Sequence, residues 1–549
     1  MVGSFSKLNR FNYPPVDDLF TAKMGIAYPV RCIPVLPGDT WRIEQSQMAR
    51  MMALLSPAYG KVCMRLHTFF VPYRVLWPKF YEGFMIQTKN DDGTLADPAS
   101  IPTITETWAS GSLGDYLGYP VGTEFTSTAF KVRAYQKIIR DWYLNTNIED
   151  EYDIALSTGD GADTTTSTSL YNANYPRDYF TGTYPTRQRG EELPVPITGG
   201  NAPVSVYGTG ASTMFRARDN NGNIITTALG QMTNNNVGID SALVLSNTTT
   251  QQPISNGTVT TGRQDLSTST PVGLHTDQRY GNTGIVGTAD LSNVTSVNPS
   301  DFRLVWQLNL KRQKDLYSGS RTVDWLQEHY GVRCPDARLQ RSEFLGGMKT
   351  YFNVSEVLQT SASATGQTAQ GNMAGHGFSV SGGKPIKKTF TEHGIIMTIL
   401  TISPQAVYTQ GAPREDMKRT PEEFGLPVLS HTIMDAVYKG QVYWTGTSTD
   451  TQPLGYRNIY DEYRVMYSSA KGLFRAGKSL EYWTWARKFA NQPALNKSFI
   501  QVENNERPFA TQDGSDKFLV KVVTKAKADS QIYEPKSNIL KTYQRGTNL

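Results

Sequence analysis

From Val62 to Val71 hydrophobic side chains alternate with others along the chain. Val62, Met64, Leu66, Thr68 and Phe70 fall on one side of an extended strand, and Cys63, Arg65, His67 and Phe69 on the other. Period two marks a strand, because successive side chains of a pleated backbone point to opposite faces. On this pattern His67 lies on the more polar face, as a solvated or interface residue. Gly394 to Ile402 is a continuous apolar run about half the length of a membrane span, and it reads as a buried strand. Ile26 to Leu36 is also strand-like, and Leu36-Pro37-Gly38-Asp39 after it is a turn. Helical period is clearest from Phe130 to Leu144. Phe130, Ala134, Ile138 and Trp142 share one stripe there, with Lys131, Lys137 and Arg140 off it. Trp325, Leu326 and His329 open another amphipathic turn. Turn chemistry comes next at Cys334-Pro335-Asp336, and then a strand-like run from Tyr351 to Val357. Arg333, Arg338 and Arg341, set among Glu328, Asp336 and Glu343, suit fixed ion-pair networks at a packed junction.

Many short strands with long connections predict an all-β double-sheet fold. Eight strands of ordinary length use only a fraction of the 549 residues, so the rest is loop insertion. The composition divides the chain into five segments. Residues 1–25, with the Pro14-Pro15 pair, form an extended arm rather than a packed element. Residues 26–199 and 301–516 carry two parts of the core. Residues 200–300 contain no Lys and no Glu, and Thr, Ser, Asn and Gly dominate them. That segment predicts a β-rich surface outgrowth with long loops. Residues 517–549 are a basic tail.

Overall charge changes this picture little. The chain has 54 basic and 49 acidic residues, a net charge of +5, which permits contact with nucleic acid without requiring it. Cys32, Cys63 and Cys334 are too few for a disulfide framework and form no C-x-x-C pair. They read as reduced core cysteines, and no metal site is expected. The N-terminus has no apolar signal core. These features disfavour a secreted β-rich adhesin, and no membrane insertion is expected.

Several ordered stretches resemble one family, the major capsid proteins of small icosahedral single-stranded DNA phages, the microviruses, in particular the gokushovirus group. The longest is HYGVRCPDARLQRSEFLGG (residues 329–347), in which Ser342 stands where the family often has Pro. VRCIPVLPGDTWRIE, FFVPYRVLW, RAYQKIIRDW, TFTEHG and WTWARKFANQPALNKSFI are similar to further family segments in the same order. The resemblance covers most of residues 10–510 outside the insertion. It implies an eight-stranded viral jelly roll with large loop insertions containing some short helices. It implies a T=1 shell of identical copies around circular single-stranded DNA, assembled in the host cytoplasm. The implied partners are an internal scaffolding protein, a DNA pilot protein and a small basic DNA-binding protein. The insertion would form a protrusion near the three-fold axis that meets a host receptor.

Two motifs remain. Gly472 to Ser479 satisfies G-x-x-x-x-G-K-[ST], the phosphate-binding loop of a packaging NTPase. Its context is wrong: no buried parallel strand precedes it, and Leu473, Phe474 and Arg475 are bulky where phosphate needs small residues. No Ser/His/Asp arrangement is present, so no catalytic residue, cofactor or metal ligand is assigned. The second is the tail. Lys517, Lys521, Lys525, Lys527, Lys536, Lys541 and Arg545 face only Asp529 and Glu534, with Tyr533 and Tyr543 interleaved. Basic residues with aromatics suit single-stranded DNA. A solvated surface strand and tail, or an arm between subunits, are the competing readings. Lys7 and Arg10 of the N-terminal arm are further DNA-contact candidates.

Overall fold

The structure, a computed structural model, describes residues 9–92, 94–191, 299–358, 373–430 and 434–532, with the backbone of five strands between 204 and 289. Two antiparallel sheets frame the unit made of residues 1–191 and 311–549. Their strands in chain order are β1 (Asn9–Asn12), β2 (Val16–Ala22), β3 (Ala27–Val35), β4 (Thr40–Met51), β5 (Val62–Pro72), β6 (Glu343–Tyr351), β7 (Asn353–Leu358), β8 (Met373–Gly382), β9 (Ile386–Thr389), β10 (Gly394–Pro404) and β11 (Phe518–Ser530). Four make one sheet in the order β6–β5–β10–β3. The other seven make the second sheet. There β11 lies beside β4, β1 and β2 share the far side of β11, β8 and β9 share the far side of β4, and β7 lies beyond β8.

The two sheets bury a common core. Phe518, Val520 and Val522 of β11 and Ala49 and Met51 of β4 meet Met64, Leu66, Leu400 and Ile402 of the four-stranded sheet. A polar bridge crosses that core: Gln45 Nε2 donates to Thr398 Oγ1 at 2.9 Å, and Thr68 Oγ1 donates to Gln45 Oε1 at 2.9 Å. Buried polar groups that find partners in this way cost little and fix the register of one sheet on the other. At the turn before β4, Gly38 adopts φ +89° and donates its N–H to the Phe390 carbonyl at 2.7 Å. An L side chain there is strained.

The four-stranded sheet is covered on its second face as well. Ile395, Met397 and Ile399 of β10 pack on a layer built round α1 (Phe130–Ile138). All of β10 is therefore buried, which explains its unbroken apolar sequence. α1 is buried nearly all round and ends sooner than its stripe predicts. Ile139–Tyr143 widen into a π-turn, which sets Trp142 over β6, where its Nε1 donates to the Ser342 carbonyl at 2.9 Å. Within this layer Arg133 and Asp163 form a fully buried ion pair at 2.7 Å. Arg133 also donates to the Leu76 and Gly159 carbonyls. The layer also covers the side of β5 that carries His67. That ring is partly buried, edge-on to Phe69 and Phe344 and tilted against Tyr143, with its Nδ1 3.0 Å from the Tyr143 hydroxyl.

Two segments differ from their sequence reading, and a third takes one of the alternatives it left open. Residues 9–22 are extended but packed: β1 and β2 add to the edge of β11, and Ala22 is fully buried. Residues 518–530 of the basic tail are a strand inside the sheet with one face open, the surface strand among the alternatives for that segment. In the Arg-rich stretch, Arg341 alone of its three arginines enters a network. It lies over the Trp142 ring at 3.8 Å, 3.8 Å from Asp336, and donates to the Asp141 carbonyl at 2.7 Å. Arg333 and Arg338 are exposed.

A second compact unit spans Glu192–Leu310. Its strand Thr213–Arg218 lies between Ile224–Met232 and Gly273–Thr276, and Val204–Gly208 pairs with Ile285–Ala289, all antiparallel.

Candidate nucleic-acid interface

The alternation along β11 sorts its residues. Phe518, Val520, Val522, Thr524, Ala526 and Ala528 point into the core, and Leu519, Lys521, Val523, Lys525, Lys527 and Asp529 point away from it. Of the sequence candidates, Lys517 precedes the strand and is buried. Its ammonium contacts Asp513, donates to Ser515 Oγ at 2.8 Å and sits 3.9 Å from Glu506. A buried amine so matched anchors the strand and has no charge to offer outside. Lys521 is half-exposed and paired with Asp17 at 2.6 Å. Arg10 makes a two-bond pair with Asp529, at 2.7 and 3.2 Å. The hydrogen bond from Arg10 holds the Asp529 carboxyl below its ordinary range.

Lys525 and Lys527 are exposed and make no hydrogen bond or ion pair with any described residue; both stand free on the open face. Register supplies two residues the sequence reading missed. Lys527 lies opposite Arg42 of β4, and Arg42 lies opposite Lys387 of β9. Three exposed cations thus form one row across neighbouring strands about 4.8 Å apart. Like charges set directly opposite one another destabilise a sheet. Two acids flank this row: Glu44, opposite Lys525, and Asp529, two residues along β11 from Lys527, which pairs with Arg10 and also feels the charge of Lys387. The rest of the open face carries exposed apolar side chains, among them Leu19, Met48, Phe378, Val380 and Leu519. Lys7, Lys536, Lys541 and Arg545 lie outside the described residues. Strand alternation marks Arg42 and Lys387 as outward-facing, but only the pairing of distant strands brings them to Lys527.

The loop Gly472–Ser479 does not have the geometry of a phosphate cradle. The strand before it is Ser468–Ser469, and after it comes a three-residue 3-10 turn, Glu481–Trp483, instead of a helix. The Gly477 N–H, which a phosphate would need, donates to the Glu481 carboxylate at 2.6 Å. Among the described residues no group of His, Cys, Asp and Glu is placed to hold a metal ion. No described helix is long and apolar enough to cross a membrane. All three cysteines are free thiols.

A sequence model of the capsid protein (F protein) family matches residues 11–528. The chain belongs to this phage capsid protein family. It is 30% identical to capsid protein VP1 of Bdellovibrio phage phiMH2K over 88% of its own length and 85% of that protein. It is 28% identical to capsid protein VP1 of Spiroplasma virus 4 over 87% of its length and 85% of the relative. Capsid protein VP1 of Chlamydia phage 1 is 29% identical, over 88% of this chain and 87% of the relative. These are microvirus proteins, as the sequence resemblance implied. The capsid protein is a structural component of a bacteriophage virion, built by association of many copies. Its relatives are structural proteins, and no catalytic activity is indicated for them.

Proposed function

We propose that this capsid protein closes a T=1 icosahedral shell round circular single-stranded DNA, and that the open face of its seven-stranded sheet meets that DNA. The carrying observation is the row Lys527, Arg42 and Lys387, flanked by Lys525, on a face with apolar side chains beside it. Such a row is unfavourable alone and favourable against a polyanion, where each phosphate contact releases counterions. Exposed apolar side chains give unpaired bases something to pack on, which a duplex does not require. Lys521 and Arg10 are further contacts, each having to leave an acidic partner to serve. For Lys7, Lys536, Lys541 and Arg545 the same role rests on charge alone. An arm between subunits remains the reading for the residues past Ile532.

The wrapping of the chain supports a viral jelly roll. Successive strands β3, β4 and β5 alternate between the two sheets, and the chain crosses again from β6 to β7 and from β9 to β10. We assign residues 200–300 to an exterior protrusion used in host attachment, on their Lys- and Glu-free, turn-rich composition. An internal scaffolding protein, a DNA pilot protein and a small basic DNA-binding protein are the partners this role calls for. Electron microscopy of purified particles tests the shell, with sixty copies expected. Digestion of the released nucleic acid by a single-strand-specific endonuclease, with resistance to exonucleases, tests the genome. Particles of another symmetry, or a duplex inside, would overturn the reading.

A further inference from the structure

The four-stranded sheet holds a second basic site, on the face turned away from the seven-stranded sheet. Where the layer round α1 ends, a cavity of about 430 Å³ opens between β5, the loop at 173–181 and the start of the helix Thr322–Tyr330. That volume lies in the range of small-ligand pockets. Three guanidinium groups, of Arg65, Arg177 and Arg321, line it, and no Asp or Glu does. None of the three is neutralised by an ion pair among the described residues. Arg65 donates to Ser403 Oγ at 3.0 Å. Arg177 is exposed and makes no hydrogen bond to a described residue. Arg321 gives Nη2 to the Arg140 and Leu144 carbonyls, both at 2.9 Å, and its buried Nε has no partner. Burial, and then the charge of Arg341, act against the charged form of Arg321; carbonyls do not neutralise a guanidinium, and an unbonded buried donor is costly unless something arrives to accept from it.

The opposite wall is aromatic. Phe69, Trp142 and Phe344 lie with ring centroids 5.5 to 5.8 Å apart. Arg341 already occupies a face of Trp142. Phe344 is 45% exposed and leaves a ring at the mouth. Arginines with no acid in the cavity wall, beside an exposed ring, select a ligand that is both anionic and flat; Asp324, Asp141 and Glu151 act on Arg321 only from outside the lining. A carboxylate side chain meets the first demand and not the second.

We infer that this cavity binds one nucleotide of single-stranded nucleic acid, its phosphate on Arg65, Arg177 and Arg321 and its base against Phe344. The inference rests on single-stranded DNA being the enclosed genome. It adds a site on the opposite face of the four-stranded sheet from the core, built from residues that no sequence motif joins. Each copy in a shell would then hold a nucleotide at an equivalent place, which orders DNA locally whatever its sequence, since every base has a face to stack.

Ultraviolet crosslinking of intact, DNA-filled particles, read by mass spectrometry, tests it. Nucleotide adducts are expected on peptides that carry Trp142, Tyr143 or Phe344. In particles of the Arg65→Gln, Arg177→Gln double variant those adducts should fall about tenfold, while adducts elsewhere persist. Should the double variant not assemble, Arg177→Gln alone serves, because Arg177 is exposed and supports no described contact. Particles that hold single-stranded DNA but give no adduct in these peptides would overturn the inference and leave the genome reading intact. A neighbouring copy's side chain filling the cavity in a density map of the particle would overturn it too. Particles without single-stranded DNA would overturn both.

Discussion

The two sheets of this capsid protein share a core and differ in what lies behind it. The four-stranded sheet has the α1 layer on its far side, so β10 is buried along its whole length. Among the described residues the seven-stranded sheet has no such cover, and β11 alternates between buried and open positions over 13 residues. One sheet is finished by its own chain. The other presents cations and apolar side chains that no described residue covers. Stability should therefore reside in the first and association in the second, and substitutions at matched depths separate the two.

The largest effect is expected at the buried pair behind the four-stranded sheet. Arg133→Ala leaves Asp163 charged, enclosed and unpaired, which should cost about 3–5 kcal/mol. The corresponding loss on the open sheet, Lys521→Ala beside Asp17, should cost no more than about 1 kcal/mol, because both partners keep water. Chemical denaturation of the purified protein measures both. Equal losses would erase the contrast between the sheets.

The hydrophobic positions sharpen the same contrast. Ile399 is fully buried in β10, and Ile399→Ala should lose about 2–5 kcal/mol through lost burial and a residual cavity. Leu519 is 46% exposed on the open face of β11. Leu519→Ala should stay within about 0.5 kcal/mol. A large loss at Leu519 in the isolated subunit would mean that its open face is already covered.

How much of this was legible in the sequence depends on what each layer demands. The apolar run at 394–402 and the alternation at 62–71 specify strands unaided, since burial dictates residue type locally. Alternation at Val62–Val71 does not reveal that the side carrying Cys63, Arg65 and His67 is covered too. The cover comes from the layer round α1, far along the chain, and His67 therefore reads as solvated when it is largely covered. The Pro14-Pro15 pair hides an edge strand, because β1 and β2 stop on either side of it. Lys517 reads like the other tail lysines until its fold-mates Asp513 and Ser515 are seen. Arg42 and Lys387 carry no local signal beyond facing outward, and the cavity arginines come from three remote segments. The strands with a strong apolar pattern, β5 and β10, were legible, whereas the edge strands β1 and β2, the place of the basic tail's strand inside the sheet, and the strand pairing that makes both basic sites were not, apart from what the family resemblance implied.

The enclosure of His67 has a pH signature. Burial first, and then the charge of Arg65, lower its pKa from the ordinary 6.5 to about 4. The folded protein thus binds fewer protons here than the unfolded chain between those values. Stability from this residue is present above pH 6.5 and is lost as the pH falls toward 4. The loss should be on the order of 3 kcal/mol. In His67→Gln the slope of unfolding free energy against pH over that window should flatten. An unchanged slope would mean the ring meets water after all.

The smallest effect on stability should accompany the clearest effect on association. Replacing Arg42, Lys387, Lys525 and Lys527 with Gln removes exposed cations that no described residue needs. Folding should be unchanged, or slightly more stable once like charges no longer face each other across β11, β4 and β9. DNA retention should behave in the opposite way. With fewer phosphate contacts the variant should lose DNA at lower salt than the parent. The slope of log affinity against log salt should fall by roughly one unit for each contact removed. DNA content per intact particle across a salt series gives both readings, and the denaturation midpoint of the same variant supplies the control. A variant that assembles, unfolds like its parent and keeps its DNA at every salt concentration would remove this face from the DNA-contact list. Its cations would then have to be answered by a neighbouring copy. A variant that instead fails to form shells, while its subunits stay folded, would point to that same neighbour. Only parallel loss of DNA and salt slope, with folding and shell yield preserved, fits a sheet left open for the genome.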